Sequence, residues 1–473
     1  MMQAETETPP SLPVRWFYTV SSSKDLSLFR IAFGVGVFLN WIFYADVLQK
    51  FYSHIGFLDR ATARTLAEGR FSLFFFQDSP LFVSSAYGLL LASAVLLAAG
   101  VWPRCMATIV YVLTLSFSNR FDFVGAGADK IIIFVSFFLI FIPTHHSFTF
   151  DLKTRRCSPG LDVPVAGVSL RMIQVNLWLV MLSAVLFKIQ DPRWMNGTAM
   201  RDIWTYQQTT ANWAFLARHP LVVNSATYVS LATEFFFTVA IWIPATRRIA
   251  LFSAMGLLVG ISLFLNTCLF SEVYLASLTA FMRLDDLKVL REQLLKLGRS
   301  TRKLCDPKHF RSARSVETLF FIAVAAIWTS QTAATFSHRQ IFHDLNSYMG
   351  RLDITGFGYW GYVGDFSTVT LAQHRYVFED GSSETEMAVE PTKGLFRSVH
   401  HYFLRGLLSR EDNPDFIRDG FVDYMCKHGP HGRPLAAYSF EIFSIPSAAM
   451  VEARGKVPFT PNSFTPALQK RCH

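Results

Sequence analysis

Apolar positions fall in long uninterrupted runs along the first 340 residues. They show neither the alternation of a half-buried strand nor the one-faced stripe of a surface helix. Crossing about 30 Å of hydrocarbon takes roughly 20 helical residues. Runs of about that length lie near 26–48, 80–101, 105–121, 129–148, 169–190, 220–243 and 249–268, followed by a short one near 269–283 and a last one near 315–337. The pattern predicts an all-α polytopic membrane bundle of about eight or nine transmembrane helices. The short run crosses only if it is tucked inside the bundle, and is otherwise a re-entrant piece.

The pattern changes near residue 338. Gly- and aromatic-rich text (ITGFGYWGYVGDF) gives way to alternating stretches in TVTLAQHRYVFEDGSSETEMAV, with Asp380-Gly381 as a turn between two strands. An amphipathic helical piece follows near 394–427, then a strand in AAYSFEIFSIPSA. These elements predict a C-terminal extramembrane α+β domain, large enough for its own core. The expected organisation is a polar N-terminus at 1–25, a bundle at 26–285, a basic loop at 286–314, a last helix at 315–337 and the α+β domain at 338–473.

Composition supports this reading. With 51% hydrophobic residues, 46 Phe and 17% charged residues, the chain is too apolar for an ordinary soluble enzyme. Arg104, Lys153, Arg155, Arg156, Arg171, Arg247, Arg248 and the basic run from Arg283 to Arg314 outweigh the cations of the alternate loops. The positive-inside rule therefore predicts a cytoplasmic N-terminus and basic loop, with the tail outside. The net charge of +9 is then mainly a topology signal, with attraction to anionic membrane lipid as a side effect. No basic and aromatic module accompanies it, so nucleic acid is not an expected partner. The first 25 residues lack the apolar core of a cleavable signal, so the first span is expected to direct insertion. Short loops and a polar N-terminus fit a multi-pass protein of a bacterial inner membrane.

Cys105, Cys157 and Cys305 fall on the expected cytoplasmic side, whereas Cys426 and Cys472 both lie in the tail, where a disulfide could form. No metal site is expected. His400 and His401 are adjacent on a helix and point apart, and Cys426-Lys427-His428 lacks further ligands.

An ionisable group at membrane depth needs a partner or a function. Arg30 lies in the first span, Asn119 and Arg120 close the third, Asp129 and Lys130 begin the fourth, and Glu234 lies in the sixth. One reading pairs Arg30 or Arg120 with Glu234 or Asp129 to fix helix register. In another, the same groups line a polar chamber that opens at the ends of the third to fifth spans. Lys188 ends the fifth span, just before the turn Trp194-Met195-Asn196-Gly197. It suits a snorkelling anchor at the headgroups; the alternative is a base whose pKa is lowered by desolvation.

Four motifs occur in order between residues 24 and 285. They are SLFRIAFGVGVFLNWIFYADVLQKFYSHIGFLDR, SNRFDFVGAGADKIIIFVSFFLIFIPTHHSFTFD, the Lys188 to Met200 turn, and LATEFFFTVAIWIPATRR. Together they resemble the horizontally transferred transmembrane domain shared with vitamin K-dependent gamma-glutamyl carboxylase. The resemblance implies that Lys188 is the base that deprotonates a reduced quinone, with Arg30, Asn119, Arg120, Asp129, Lys130, Trp194 and Glu234 around the cofactor. It further implies that oxygen converts the quinone into a strong base, which removes a proton from a peptide or protein side chain, and that carbon dioxide captures the carbanion. Where the animal carboxylases carry a histidine near the start of the fourth span, this chain has Ala128-Asp129-Lys130.

The alternative within the wider family is a non-catalytic maturation or export factor for a secreted peptide, as in bacterial peptide-toxin systems. A transporter would favour inverted repeats with broken helices, and a channel would favour a ring-forming filter; neither pattern is seen.

Overall fold

The computed structural model describes residues 20–121, 127–142, 144, 149–151, 156–158, 164–205, 213, 215–286, 368–387, 415–427, 429, 434–446 and 465–472, apart from the single positions 57, 68, 266, 268 and 284. The expected last span at 315–337, the basic loop beyond 286, and the text at 345–367 lie outside the described residues.

The described chain is mainly helical. A three-residue strand, β1 (Val20–Ser22), leads directly into α1 (Ser23–Ile42), where Ser22 accepts the Lys24 N–H at 3.1 Å. Short α2 (Leu48–Tyr52) and α3 (Arg60–Leu66) form a connection to α4 (Pro80–Ala99), and Pro103 then opens α5 (Pro103–Arg120). Proline at the first helical position costs nothing, because its missing N–H would have no helical partner there. Next come α6 (Gly127–Leu139), the short strands β2 (Thr149–Asp151), β3 (Arg156–Ser158) and β4 (Pro164–Ala166), and α7 (Val168–Lys188). Two short helices, α8 (Pro192–Met195) and α9 (Ala199–Thr205), precede α10 (Pro220–Ala240), α11 (Arg247–Phe264) and α12 (Phe270–Leu278).

Four of these helices, α1, α4, α7 and α11, are long and apolar enough to cross a membrane. On α4 the side chains of Leu81, Leu89 and Val95 face outward, as do Ile249, Val259 and Leu263 on α11. The predicted spans near 105–121 and 220–243 appear as α5 and α10, which have helical length but are less apolar. The span predicted over 129–148 ends earlier, at Leu139. The chain carries a proline at 143, which supplies no N–H and restrains the residue before it from helical geometry.

Strand β1 pairs antiparallel with β4, Val20 opposite Ala166 and Ser22 opposite Pro164. Both α1 and α7 therefore start from one two-stranded ribbon, which defines a ribbon end and a far end of the bundle. The short α12 is deeply buried, with Val273, Tyr274 and Leu278 at 0–1% exposure, and packs against α1, α6, α7 and α11. The Tyr274 hydroxyl donates to Leu177 O at 2.6 Å, and Gln174 donates to Ala280 O at 2.7 Å. A 3-10 turn over Thr279–Phe281 carries the chain back to the start of α11, where Arg247 donates to Phe281 O and to both oxygens of Asp286 (2.8 and 2.7 Å). The short apolar segment thus returns along the whole of α11, tucked among its neighbours.

The C-terminal sheet is antiparallel with order β6-β5-β7-β8, formed by β5 (Thr368–Phe378), β6 (Ser383–Met387), β7 (Leu435–Pro446) and β8 (Thr465–Arg471). The Asp380-Gly381 turn joins β5 to β6 as predicted; Gly381 has φ +80°, and Asp380 accepts the Ser382 N–H at 2.9 Å. The described part of the predicted 394–427 helical piece is α13 (Asp415–Lys427). Its Phe421 packs on His374, Tyr438 and Phe440, and the His374 ring meets the Tyr438 hydroxyl at 2.7 Å. A disulfide between Cys426 and Cys472 ties α13 to the end of β8. Cys105 is free and exposed, and Cys305 lies outside the described residues.

Asp286 sits between Arg247 and Arg248 with its side chain fully buried. Burial alone would raise its pKa, but hydrogen bonds from Arg247, the Arg283 N–H and Arg248 outweigh that and hold it below the ordinary carboxylate value. A lowered folded-state pKa gives stability that is present above about pH 4 and lost as pH falls further. Asp286→Asn should therefore destabilise the purified protein by roughly 3 kcal/mol at pH 7. In thermal melts the gap between parent and variant should close below about pH 4; a gap of constant size down to pH 3 would contradict this role.

Candidate functional site

Lys188 is the last residue of α7, and Glu234 lies in the second turn from the end of α10. The two helices are antiparallel, and the bond from Trp178 Nε1 to Thr238 O (2.7 Å) sets their register. That register puts Lys188 level with Tyr228, about 9 Å along the axis from Glu234. Helical side chains lean towards the N-terminus of their own helix, so in an antiparallel pair these two lean towards each other. They meet with Lys188 Nζ 2.5 Å from Glu234 Oε1. Side-chain exposure is 10% for Lys188 and 4% for Glu234, so the pair is nearly dry.

A third group completes the site. Lys188 Nζ lies 4.3 Å from the centre of the Trp194 ring, within cation–π range. The turn that carries Trp194 is fastened in several places. Asp191 caps α8 by accepting the Arg193 N–H at 2.9 Å, and it also binds the Arg193 guanidinium. That bond, more than any other factor, holds the Asp191 carboxyl below its ordinary pKa. The Tyr228 hydroxyl donates to Met195 O (3.0 Å), and Met200 N–H donates to Thr227 Oγ1 (3.1 Å). The amide nitrogen of Asn224, in the orientation that satisfies both ends of the side chain, reaches Gly197 O at 2.9 Å. Gly197 has φ +75°, and a Cβ there would lie 2.8 Å from the Tyr228 ring, so glycine is required on both counts.

Glu234 Oε2 is buried and accepts no hydrogen bond. Carboxylate oxygens at such depth normally have a donor, so this one is an open valence in an otherwise satisfied site.

The other predicted site residues lie elsewhere. Arg30 is in the ribbon half, where its Nη1 donates to Leu97 O (2.6 Å) and Ala98 O (3.1 Å) at the C-terminus of α4. It supplies positive charge to that helix end, and a Cβ on Gly100 would fall 2.4 Å from its Nη1. Counted from the shared ribbon, Arg30 and Lys188 are separated along the bundle by on the order of 20 Å. Arg120 and Asn119 are at the far end and fasten the connection between α2 and α4. Arg120 Nη2 donates to Leu58 O (2.8 Å) and lies 3.6 Å from Asp78, while Asn119 Nδ2 donates to Phe71 O (2.8 Å). Arg60 also pairs with Asp78, through Nε at 2.9 Å. Asp129 accepts from Asn40 Nδ2 (2.9 Å) and the Tyr44 hydroxyl (3.2 Å), and Lys130 beside it is half-buried.

The expected pairing of Arg30 or Arg120 with Glu234 or Asp129 is thus replaced for two members: Arg120 meets Asp78, and Glu234 meets Lys188. The reason is register. Which charges share a level depends on how distant helices slide past one another, and a run of apolar letters does not record that. Asp78, Asn40 and Tyr44 were not among the predicted site residues. Asn40 had a signal, as an amide within an apolar span. So did one support of the turn, Thr227, because Val223, Thr227, Ser230, Glu234 and Phe237 form a buried stripe at helical spacing on α10; Asn224 and Tyr228 lie outside that stripe.

Among the described residues, no group of three or more His, Cys, Asp or Glu side chains is placed to hold a metal ion. Comparison of the chain with known protein families, curated proteins and solved structures finds no match.

Gly197→Ala should displace the turn and destabilise the fold by about 1–3 kcal/mol. Tryptophan fluorescence and thermal melts would check it, and an alanine variant that melts with the parent would contradict the clamped turn.

Proposed function

We propose that the protein is an integral membrane enzyme that carries out proton transfer at the Lys188–Glu234 pair during modification of a peptide or protein side chain, in the manner of the gamma-glutamyl carboxylases its motifs resemble. The observation that supports this most is the dry ion pair beside Trp194, with one carboxylate oxygen left open.

The cofactor of this reading is a reduced quinone. The residues present fit such a group: an open acceptor, Glu234 Oε2, for a hydroxyl proton; an ammonium, Lys188, to hold a developing oxyanion; and apolar surroundings that exclude water. When bound, the quinone supplies the oxygen-dependent chemistry that makes a base strong enough to deprotonate a peptide carbon, and carbon dioxide completes the modification. Asp191, Asn224, Thr227 and Tyr228 act by fixing the turn that carries Trp194. Asn119, Arg120, Asp129 and Lys130 belong to the far-end polar layer, where they border the same end of the bundle as Lys188.

In this reading the bundle has eight or nine spans, with the N-terminus cytoplasmic and the C-terminal domain outside a bacterial inner membrane. The Cys426–Cys472 disulfide supports an oxidising side for that domain. The competing reading is a non-catalytic maturation or export factor for a secreted peptide. It is favoured by the closeness of the ion pair itself, which could serve only to lock α7 to α10.

Membranes containing the full chain, supplied with menadiol, oxygen and labelled carbon dioxide, should incorporate label into protein. Lys188→Ala should lower incorporation by about 10²–10³-fold, the scale of losing a group that stabilises a developing oxyanion, while the protein still inserts. Incorporation within about twofold of the parent, against an effect of that scale, would favour the maturation factor.

A further inference from the structure

We propose that the substrate's proton is taken by Glu234, through its open oxygen Oε2, and that Lys188 serves as the fixed positive charge beside it. This rests on the reading of the pair as a proton-transfer centre for a hydroquinone, and it reassigns the accepting atom within that centre.

Three features of the site carry the assignment. Lys188 Nζ is bounded by Glu234 Oε1 at 2.5 Å and by the Trp194 ring at 4.3 Å. Both contacts favour the ammonium: a carboxylate attracts it directly, and the ring face attracts a cation but gains little from a neutral amine. An ammonium has no lone pair and cannot accept a proton. Glu234, by contrast, has one oxygen engaged and the other buried with no donor. A carboxylate with one oxygen engaged by a charge-assisted bond and the other without a donor offers that second oxygen as the free acceptor of the site.

The geometry also explains why the transfer is feasible in a dry site. The hydroquinone O–H bond breaks, an O–H bond forms on Glu234 Oε2, and the electron pair stays on the hydroquinone oxygen. The total charge of the site does not change. Before transfer the Lys188 ammonium balances the Glu234 carboxylate, and afterwards it balances the new oxyanion while Glu234 is a neutral acid. No charge is created without a partner at any stage, which is the condition for proton transfer where water is excluded. Lys188 acting alone would have to lose its own proton first, away from both groups that hold the cation in place.

The test uses the full chain in lipid nanodiscs, without oxygen, and menadiol as the probe. Absorbance reports the ionised fraction of bound menadiol, and difference infrared spectra report whether a carboxyl group becomes protonated when menadiol binds. Expected in the parent are an ionised fraction well above that of free menadiol at the same pH and a new protonated-carboxyl band. Glu234→Gln should lose the band and return the ionised fraction to that of free menadiol. Glu234→Asp should recover both in part, which separates loss of the carboxylate from loss of folding. Lys188→Arg, which keeps the cation but cannot act as a base, should keep the band and at least about a tenth of the effect, well short of the 10²–10⁴-fold typical of losing a general base.

Ionisation in the parent without a carboxyl band, lost in Lys188→Arg and kept in Glu234→Gln, would overturn this assignment in favour of the amine and leave the proton-transfer reading standing. A parent protein that leaves menadiol un-ionised would overturn that reading and the assignment with it.

Discussion

A charge placed among apolar helices must find an opposite charge or a row of carbonyl oxygens, because hydrocarbon offers neither water nor counter-ions. The bundle is organised around that constraint. Lys188 finds Glu234, Arg120 finds Asp78, and Arg30 finds the carbonyls at the end of α4. Each contact joins elements far apart in the chain: α7 to α10, α5 to the connection before α4, and α1 to α4. Apolar burial draws helices together without choosing a register, whereas a charge pair costs several kcal/mol if the register is wrong. Polar contacts therefore determine which of many apolar packings is adopted.

The Lys188–Glu234 contact differs from the rest in what surrounds it. Arg30 and Asp286 are held by several bonds and have a plain structural use, although buried atoms of Arg30, Arg120 and Asp78 also go without a hydrogen-bond partner, as Glu234 Oε2 does. At the Lys188 site one oxygen is left open, an aromatic face is held against the cation, and a clamped turn fixes that face. Rigid support around an incompletely satisfied pair is the arrangement expected where a third reactant enters. Neutrality of the pair keeps the cost of the dry site low, and under the proposed function the same neutrality would let a proton move within it without unbalanced charge.

Much of the architecture was legible in the sequence because length and apolarity are local properties. Helix α4 starts and ends within two residues of the run read from the sequence, Pro80 marking its start and Gly100 its end. The Asp380-Gly381 turn and the strand through Tyr438 were likewise written in local turn and alternation signals. That Lys188, Trp194 and Gly197 stand close together was legible because a lone ammonium after an apolar run and a Gly turn are visible in one window. Partner choice was not. Glu234 lies 46 positions from Lys188, and only the helix register shows that it, and not Arg30 or Asp129, shares that level. Asp78 was invisible for a further reason, since it lies in a polar connection where a carboxylate needs no explanation until the fold brings Arg120 behind it.

Energetic coupling between Lys188 and Glu234 is the quantity on which this organisation stands. A double-mutant cycle on the thermal stability of the purified protein, with Lys188→Ala, Glu234→Ala and both together, measures it directly. A buried pair in contact predicts that the double variant is more stable than the sum of the single losses by at least about 1 kcal/mol, because each single variant strands a buried charge. Losses that add to within about 0.5 kcal/mol would mean that the two side chains do not meet, and would contradict the site described.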